Sequence, residues 1–429
     1  MRLKKFLLFE FDQWALVLVA AALPWNIPVG NAVLIATVIL GFLLAAYKKD
    51  WSWFSGQRIL IPVLVFFLLI VLSALTSSNI DQGLKQIDKA LLLPMIAFAV
   101  LRFHRYTRLE VLAKAMTYSS AIAVSVLLLI ASIRFLSGGG TEVFFFHSFT
   151  EPIGQHAVYF SLTALLSILF YAEFSRPFQK GKREVRNFIL LFLLLLLGIV
   201  LSASKVVIAM TIILLPLYSF GARMNNKAKA FTLSAVVGLF VLGLVLTPVR
   251  KRFMEGLALR NESVKTAVKI ADTYEYTLEE VGEISDLEVR FIFVKIGAFH
   301  WWHSKELVWG FGIGDIQDQL NYYYYVYGLA KGGYLNFNLH NQFLQTLVGM
   351  GIVGLCALLW IFWISFRSGV QFGNKAHVFF LVIMTLVFLL ECVLSRNKGI
   401  LLFFFLNTIF LLKNSTLESS YPRDQGNSE

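Results

Sequence analysis

The residues best suited to chemistry begin at His340 and Asn341, where a polar stretch meets a long apolar run. In a helix starting at Asn341, His340, Gly351 and Gly354 would share one face, because steps of three and four residues stack along a helix. Glycines on that face let a neighbouring helix approach closely. A histidine accepts a proton near neutral pH, since its unperturbed pKa is about 6.5. Two interpretations stay open: a rigidly held proton acceptor, or an ordinary helix N-terminus with an interfacial histidine.

Other polar side chains interrupt the apolar sequence. Lys205 ends the turn sequence LSASK, and His156 begins another apolar run. A cation at that depth indicates function, although a lysine that snorkels to the surface is the structural alternative. Near the C-terminus, Glu391, Arg396 and Lys398 frame a short turn, for which we expect an internal salt bridge.

A long stretch between Pro248 and His340 has no convincing membrane span and is here called the large loop (residues 248–340). Helical spacing predicts helices over 251–270 and 274–303. An acidic run, from Asp272 to Glu288, precedes Arg290, and its structural explanation is a solvated helix face with Arg290 paired to Asp286. The run NYYYYVY at 321–327 suits either the lipid headgroup layer or the stacking of sugars.

The composition predicts an all-α polytopic membrane protein. Of 429 residues, 58% are hydrophobic and 15% are charged, which is more apolar than the roughly 45–50% of a soluble domain. Twelve apolar stretches are candidate membrane helices: 12–30, 31–47, 59–76, 88–101, 110–133, 153–174, 187–201, 204–220, 230–247, 341–366, 376–394 and 398–413. We therefore expect helices 1–9 in residues 1–247, the large loop in 248–340, helices 10–12 in 341–413, and a disordered cytoplasmic tail in 414–429.

Basic residues predict the orientation of these helices. They concentrate in alternate connections, such as Arg176, Lys180 and Lys182, and the other connections carry far fewer. The positive-inside rule then places both termini in the cytoplasm and the large loop outside it. The net charge of +12 follows from this bias and from attraction to anionic lipid, so no nucleic-acid partner is expected. The two cysteines fall inside predicted helices, and neither a metal site nor a cofactor is expected.

The polar groups predicted on the outer side are Lys205, Arg290, His340 and Asn341, joined by His156 and Arg396. Fixed cations beside a histidine suit a lipid pyrophosphate: the cations hold the phosphates while the neutral imidazole takes a proton from an incoming hydroxyl. A polysaccharide transporter or flippase is the alternative from another class. Such a protein favours charged or broken helices at the membrane midplane, whereas the polar groups here cluster near one face.

The stretch HNQFLQTLVGMGIVG matches the pattern H-[NSQ]-x9-G-x-x-G and is similar to the signature of the O-antigen ligase superfamily. The large loop before this motif and the closing segment ECVLSRNKGILLFF also resemble that family. The resemblance implies a metal-independent glycosyltransferase of the GT-C type in the bacterial inner membrane, with its active site facing the periplasm. Its donor would be a glycan on undecaprenyl pyrophosphate, transferred with inversion at the anomeric carbon.

The resemblance also implies residue roles. His340 resembles the motif histidine that activates the acceptor, and Arg290 resembles the loop arginine that contacts pyrophosphate. Lys205 stands where the family commonly has an arginine, and lysine keeps the charge but loses the bidentate fork. We expect a ligase that uses lipid A core as acceptor, because the chain lacks the extra C-terminal domain of some protein-directed members. A polymerase that extends another glycan, or a protein O-oligosaccharyltransferase, is the alternative within the superfamily.

Overall fold

The computed structural model describes residues 2–54, 58–221, 226–257 and 275–420, and every regular element within these ranges is helical. The α-helices are α1 (Arg2–Ala22), α2 (Ile27–Lys48), α3 (Ile61–Leu75), α4 (Ile80–Ala90), α5 (Leu92–Phe103), α6 (Leu109–Leu136), α7 (Phe146–Thr150), α8 (Ala157–Phe170), α9 (Lys182–Leu201), α10 (Lys205–Gly221), α11 (Asn226–Val245), α12 (Thr247–Leu257), α13 (Leu278–Glu283), α14 (Asp286–Trp302), α15 (Ile316–Val326), α16 (Gln342–Gln371), α17 (Lys375–Leu390) and α18 (Asn397–Ser420). A π-helical turn, Tyr171–Ser175, extends α8. Short 3₁₀ segments lie at Ser52–Phe54, Arg58–Leu60, Thr141–Phe144, Glu151–Ile153, Pro177–Gln179, Leu329–Gly332 and Val393–Ser395.

The long helices are those of a multi-pass membrane protein. Within the described ranges, 8 are long and apolar enough to cross a bilayer: Ile27–Lys48, Arg58–Leu75, Leu109–Leu136, Ala157–Gln179, Lys182–Leu201, Asn226–Val245, Gln342–Gln371 and Asn397–Ser415. Shorter apolar helices lie at Phe11–Ala22, Lys205–Phe220 and Lys375–Leu390. The all-α class is confirmed, and the count of twelve spans stays a prediction, as do the domain boundaries and the sidedness of the large loop.

Three predicted boundaries differ from the structure. The first stretch, 12–30, breaks at Asn26, whose side-chain oxygen accepts a hydrogen bond from the backbone N–H of Val29 at 3.0 Å and so caps α2. The fourth stretch, 88–101, is divided between α4 and α5, which meet at Leu91. The last helix continues past residue 413 to Ser420, and residues 421–429 lie outside the described ranges.

The large loop forms two helices where one was predicted over 274–303. Thr277 with Glu280, and Ser285 with Glu288, form capping boxes at the starts of α13 and α14. In a capping box the hydroxyl accepts the third backbone N–H of the helix and the carboxylate accepts the cap's own N–H, so each box begins a new helix. Part of the acidic run therefore serves to start helices. Residues 258–274, which include Asp272 and much of the helix predicted over 251–270, lie outside the described ranges.

The large loop packs against one end of the helix bundle around its own apolar core. Phe293, Tyr324 and Leu339 are fully buried in this second core. Asp315 fixes the loop to the turn between α3 and α4, since its carboxylate accepts the backbone N–H groups of Ser78 at 2.7 Å and Asn79 at 2.6 Å. Charge-assisted hydrogen bonds of this kind are among the stronger ones in proteins, so this end of the bundle and the loop form one packed unit.

Helix α16 is kinked at Gly351, which has a positive φ of 64°. Loop residues run alongside the kink: Phe311 donates its backbone N–H to Val348 at 2.9 Å, and Ile352 donates to Leu307 at 3.0 Å. A side chain at Gly351 would collide with the carbonyl of Val308. The prediction of one straight stripe facing a neighbouring helix is therefore wrong, because a loop approaches this glycine and the kink breaks the stripe.

Candidate active site

His340 occupies a strained turn directly before α16. Its φ of 48° is left-handed, a conformation that costs free energy in a residue with a side chain. Two asparagines hold the turn: Asn338 Oδ1 accepts the backbone N–H of His340 at 3.1 Å, and Asn341 Oδ1 accepts that of Leu344 at 2.9 Å. Asn341 is thus the N-cap of α16. Its predicted role in binding substrate stays a prediction.

The imidazole of His340 lies against aromatic rings from the large loop. Phe293 of α14 stacks on it at an angle of 10° with centroids 6.2 Å apart, and Phe337 lies at 6.1 Å. The side chain of His340 is 21% exposed. One part of the ring is therefore packed, and the remainder is open to a ligand.

Glu391, in the turn between α17 and α18, joins His340 to Arg290. One carboxylate oxygen lies 3.4 Å from His340 Nδ1, and the other accepts a hydrogen bond from a guanidinium nitrogen of Arg290 at 2.9 Å. A carboxylate can only accept, so Nδ1 carries the proton and Nε2 is left as the acceptor. The salt bridges expected from sequence, Arg290 with Asp286 and Glu391 within its own turn, are wrong, because each group pairs across the fold.

The neighbours of Glu391 set its charge state. Burial raises the pKa of Glu391, but the hydrogen bond with His340 and the charge of Arg290 outweigh burial, so its pKa lies below the usual value. Glu391 is therefore ionised at neutral pH. An ionised carboxylate keeps the imidazole oriented and balances the charge of Arg290.

Lys205 is linked to the helix that carries Arg290 through an ion pair with Asp286, which lies one helical turn before Arg290 on α14. Its ammonium group is 2.5 Å from the Asp286 carboxylate, and Asp286 and Arg290 are four residues apart on α14. Burial raises the pKa of Asp286, but the hydrogen bond and charge of Lys205, together with the charges of Arg252 and Arg290, lower it below its usual value. Ala203, two residues before Lys205, has a left-handed φ of 45°. The LSASK turn thus presents Lys205 to the large loop from a strained backbone.

His156 and Arg396 approach the same region from the bundle. His156 is the N-cap of α8, where Nδ1 accepts the backbone N–H of Val158 at 3.3 Å. Burial lowers the pKa of His156 to about 4, and the positive charge of Arg396 adds to that effect. The structure brings His156 near Arg396, Glu391 and His340, which all act on it electrostatically. Because its nitrogen caps a helix, His156 contributes to the structure whatever ligand binds.

Two residues at this site were missed by sequence reasoning. The guanidinium of Arg252, in α12, lies 3.3 Å from the centroid of the Phe146 ring, and Phe146 has a left-handed φ of 55°. The ring of His147 lies 4.6 Å from that of His156. The basic cluster VRKR at 249–252 was the signal available for Arg252. No comparable sequence signal marks His147, which reaches the site through the fold.

These groups border a cavity of about 610 Å³, here called the basic cavity, which is lined by Lys205, Arg252, His147 and Asp286 among others. Lys205 and Arg252 face it directly, and Arg290 lies one turn away. The lining holds three cations, Lys205, Lys251 and Arg252, and three carboxylates, Glu142, Glu283 and Asp286, and the cations are the groups suited to contact a phosphate ligand. Chemically, the region combines an imidazole with a free Nε2, an orienting carboxylate and several cations.

Comparison with known proteins agrees with this chemistry. A family model described as O-antigen ligase matches residues 190–359, which include Lys205, Arg290 and His340. A search of curated proteins found no match. The matched family consists of membrane glycosyltransferases of the ligase and polymerase type. Residues 190–359 are therefore similar to the O-antigen ligase family, and this match supports membership of the chain in the O-antigen ligase superfamily.

Proposed function

We propose that this protein is a glycosyltransferase that moves a glycan from undecaprenyl pyrophosphate to a hydroxyl of lipid A core. The proposed site lies on the periplasmic face of the bacterial inner membrane. The observation that carries this proposal is the contact chain from His340 through Glu391 to Arg290, which joins a base to a cation. The match of residues 190–359 to the O-antigen ligase family supports it.

His340 acts in this proposal as the base for the acceptor. The acceptor oxygen attacks the anomeric carbon of the donor glycan from the face opposite the pyrophosphate, and its proton passes to Nε2 of His340. The bond from the anomeric carbon to the pyrophosphate oxygen breaks, and the leaving group takes both electrons. Attack from the opposite face inverts the configuration. A base of this kind contributes roughly 10²–10⁴-fold to rate.

Cations stabilise the leaving pyrophosphate. Lys205 and Arg252 face the basic cavity, and Arg290 lies between that cavity and His340. Charge on the leaving oxygens grows as the bond breaks, so fixed cations lower the free energy of the transition state more than that of the ground state. Arg396 adds positive charge beside the acceptor, and His156, which is neutral near pH 7, contributes shape there.

The test is reconstitution of the purified protein with an undecaprenyl-pyrophosphate glycan. Separate reactions contain lipid A core, a second glycan chain or an acceptor protein, and the joined product is measured by mass spectrometry. Product with lipid A core supports the ligase, whereas product only with a glycan or only with a protein identifies the polymerase or the protein O-oligosaccharyltransferase. Turnover by His340→Ala equal to that of the wild type would remove His340 as the base.

A further inference from the structure

A second, larger cavity of about 1100 Å³ lies apart from the basic cavity and shares none of its lining residues. It is formed by the outer part of α3, the turn into α4, loop residues 306–319 and the kink of α16. We call it the acidic cleft. Because it is built on the same Asp315 and Gly351 contacts that fix the loop to the bundle, its shape is held by the fold.

The walls of the acidic cleft combine three kinds of surface. Exposed carboxylates come from Asp81, Glu306 and Asp318, and amides come from Asn79 and Gln319. Trp309 presents a broad aromatic ring that is 58% exposed. Leu72 and Val353 form part of an apolar floor.

The charges of this cleft exclude phosphate as its ligand. Asp81 and Glu306 add negative charge, and the described residues that line the cleft include no Lys or Arg. A pyrophosphate would be repelled here, whereas the basic cavity offers cations such as Lys205 and Arg252 to contact it. Within the described ranges, no three His, Cys, Asp or Glu side chains are grouped closely enough to hold a metal ion. Asp318 accepts a hydrogen bond from the Asn79 amide at 2.7 Å, and the exposed carboxylates of Asp81 and Glu306 can accept hydrogen bonds from a ligand.

The carboxylates of Asp81 and Glu306, beside the exposed indole of Trp309, suit an uncharged sugar. Sugar hydroxyls donate to carboxylates and amides, forming bonds stronger than those between neutral groups. The apolar C–H face of a pyranose ring packs on an aromatic ring such as Trp309. A volume of about 1100 Å³ is large enough for several sugar units, since pockets for drug-sized ligands are roughly 300–1,000 Å³.

We propose that the acidic cleft binds an uncharged oligosaccharide at a distance from the reacting bond. Met350 is the lining residue of α16 nearest in sequence to His340 and follows it by ten residues, so the cleft begins about 15 Å along α16 from the base. The cleft therefore holds sugar units that do not react, and it determines which glycan is accepted. This inference rests on the proposed function for its link to transfer, whereas saccharide binding itself is independent of turnover.

Binding is measured by calorimetry on the full-length protein in nanodiscs. Two probes separate the possible sources: dephosphorylated core oligosaccharide from the source cell's lipopolysaccharide, and glycan released from its polyprenyl lipids. We expect one of them to bind and Trp309→Ala to weaken that binding about tenfold. Glu306→Gln and Asp81→Asn should weaken it severalfold without changing the fold. Trp302→Ala is the matched control, since Trp302 is 66% exposed and lies outside the cleft.

The probe that binds shows whether the saccharide in the cleft comes from the acceptor or from the donor. Absence of binding by both probes, or equal affinity of Trp309→Ala and wild type, would overturn the proposal. Tighter binding of a phosphorylated form of either probe at the cleft would overturn it as well. Saccharide binding without any glycan transfer would support the cleft assignment and reject the proposed function. Glycan transfer without saccharide binding in the cleft would support the proposed function and reject the cleft assignment.

Discussion

Glu391→Gln tests the contact chain at the centre of the site. The substitution keeps the size of the side chain and removes the negative charge shared by His340 Nδ1 at 3.4 Å and Arg290 at 2.9 Å. Arginine can only donate, so the amide oxygen of the glutamine would face Arg290 and its NH2 group would face Nδ1, and the tautomer with a free Nε2 is no longer favoured. Loss of an orienting carboxylate lowers kcat by about 10⁴ where the hydrogen bond is short and buried. The longer contact here leads us to expect a fall of about 10².

The same substitution should affect donor binding in the opposite direction. Arg290 loses its counter-charge in Glu391→Gln and becomes freer to contact a pyrophosphate. We therefore expect the Kd for an undecaprenyl-pyrophosphate glycan to stay unchanged or to fall. Single-turnover transfer and equilibrium binding of the donor measure the two quantities separately, and Glu279→Gln, at an exposed glutamate of α13, is the control.

Two results would refute this reasoning. A kcat within about threefold of wild type would mean that Glu391 does not orient the base. A large rise in the donor Kd with unchanged kcat would mean that Glu391 organises the donor site instead. Circular dichroism and the thermal unfolding midpoint of the purified variant distinguish both results from misfolding.

Three further predictions concern the surroundings of the site. Lys205→Arg supplies a bidentate fork and should lower the KM for the donor severalfold, whereas Lys205→Met should raise that KM by roughly tenfold or more. An unchanged KM in both variants would show that Lys205 does not contact the phosphate. Gly297→Ala places a methyl group 2.8 Å from the buried Leu339 side chain, so it should destabilise the protein by about 1 kcal/mol and reduce glycan transfer. The control is Gly282→Ala, which adds a methyl group in open space and should stabilise the protein slightly. His156 has a folded pKa of about 4, so the unfolded chain binds its proton first and stability falls as the pH drops from about 6.5 towards 4. His156→Asn should flatten thermal stability across that window, and an unchanged slope would show that other groups cause it.

The sequence predicted the helical class and the position of His340 because both depend on local patterns. Long apolar runs predict membrane helices, and the motif around His340 marks a loop-to-helix junction. The S-x-x-E pattern at Ser285 to Glu288 also marks the start of α14, but it was interpreted as part of an acidic run. The sequence thus contained a local signal for the start of α14 that could have been used to predict it.

The pairing of charges was beyond sequence reasoning. Arg290 and Glu391 are 101 residues apart, and Arg290 has a closer acidic neighbour, Asp286, on its own helix. Helical spacing therefore favoured the wrong partner, and tertiary packing decided the outcome. Gly351 shows the same limit, since glycine permits close approach by a helix or by a loop, and only the fold determines which of them approaches.

The kink at Gly351 also determines how deep the chemistry takes place. The part of α16 after the kink, residues 352–371, is about 30 Å long and matches the hydrocarbon thickness of a bilayer by itself. The nine residues before the kink then raise His340 by at most about 13 Å above the apolar layer, which spans the headgroups and the water just beyond them. A lipid-borne phosphate can reach that level without leaving the bilayer. In the proposed function, the sugar to be joined would approach His340 from the water side.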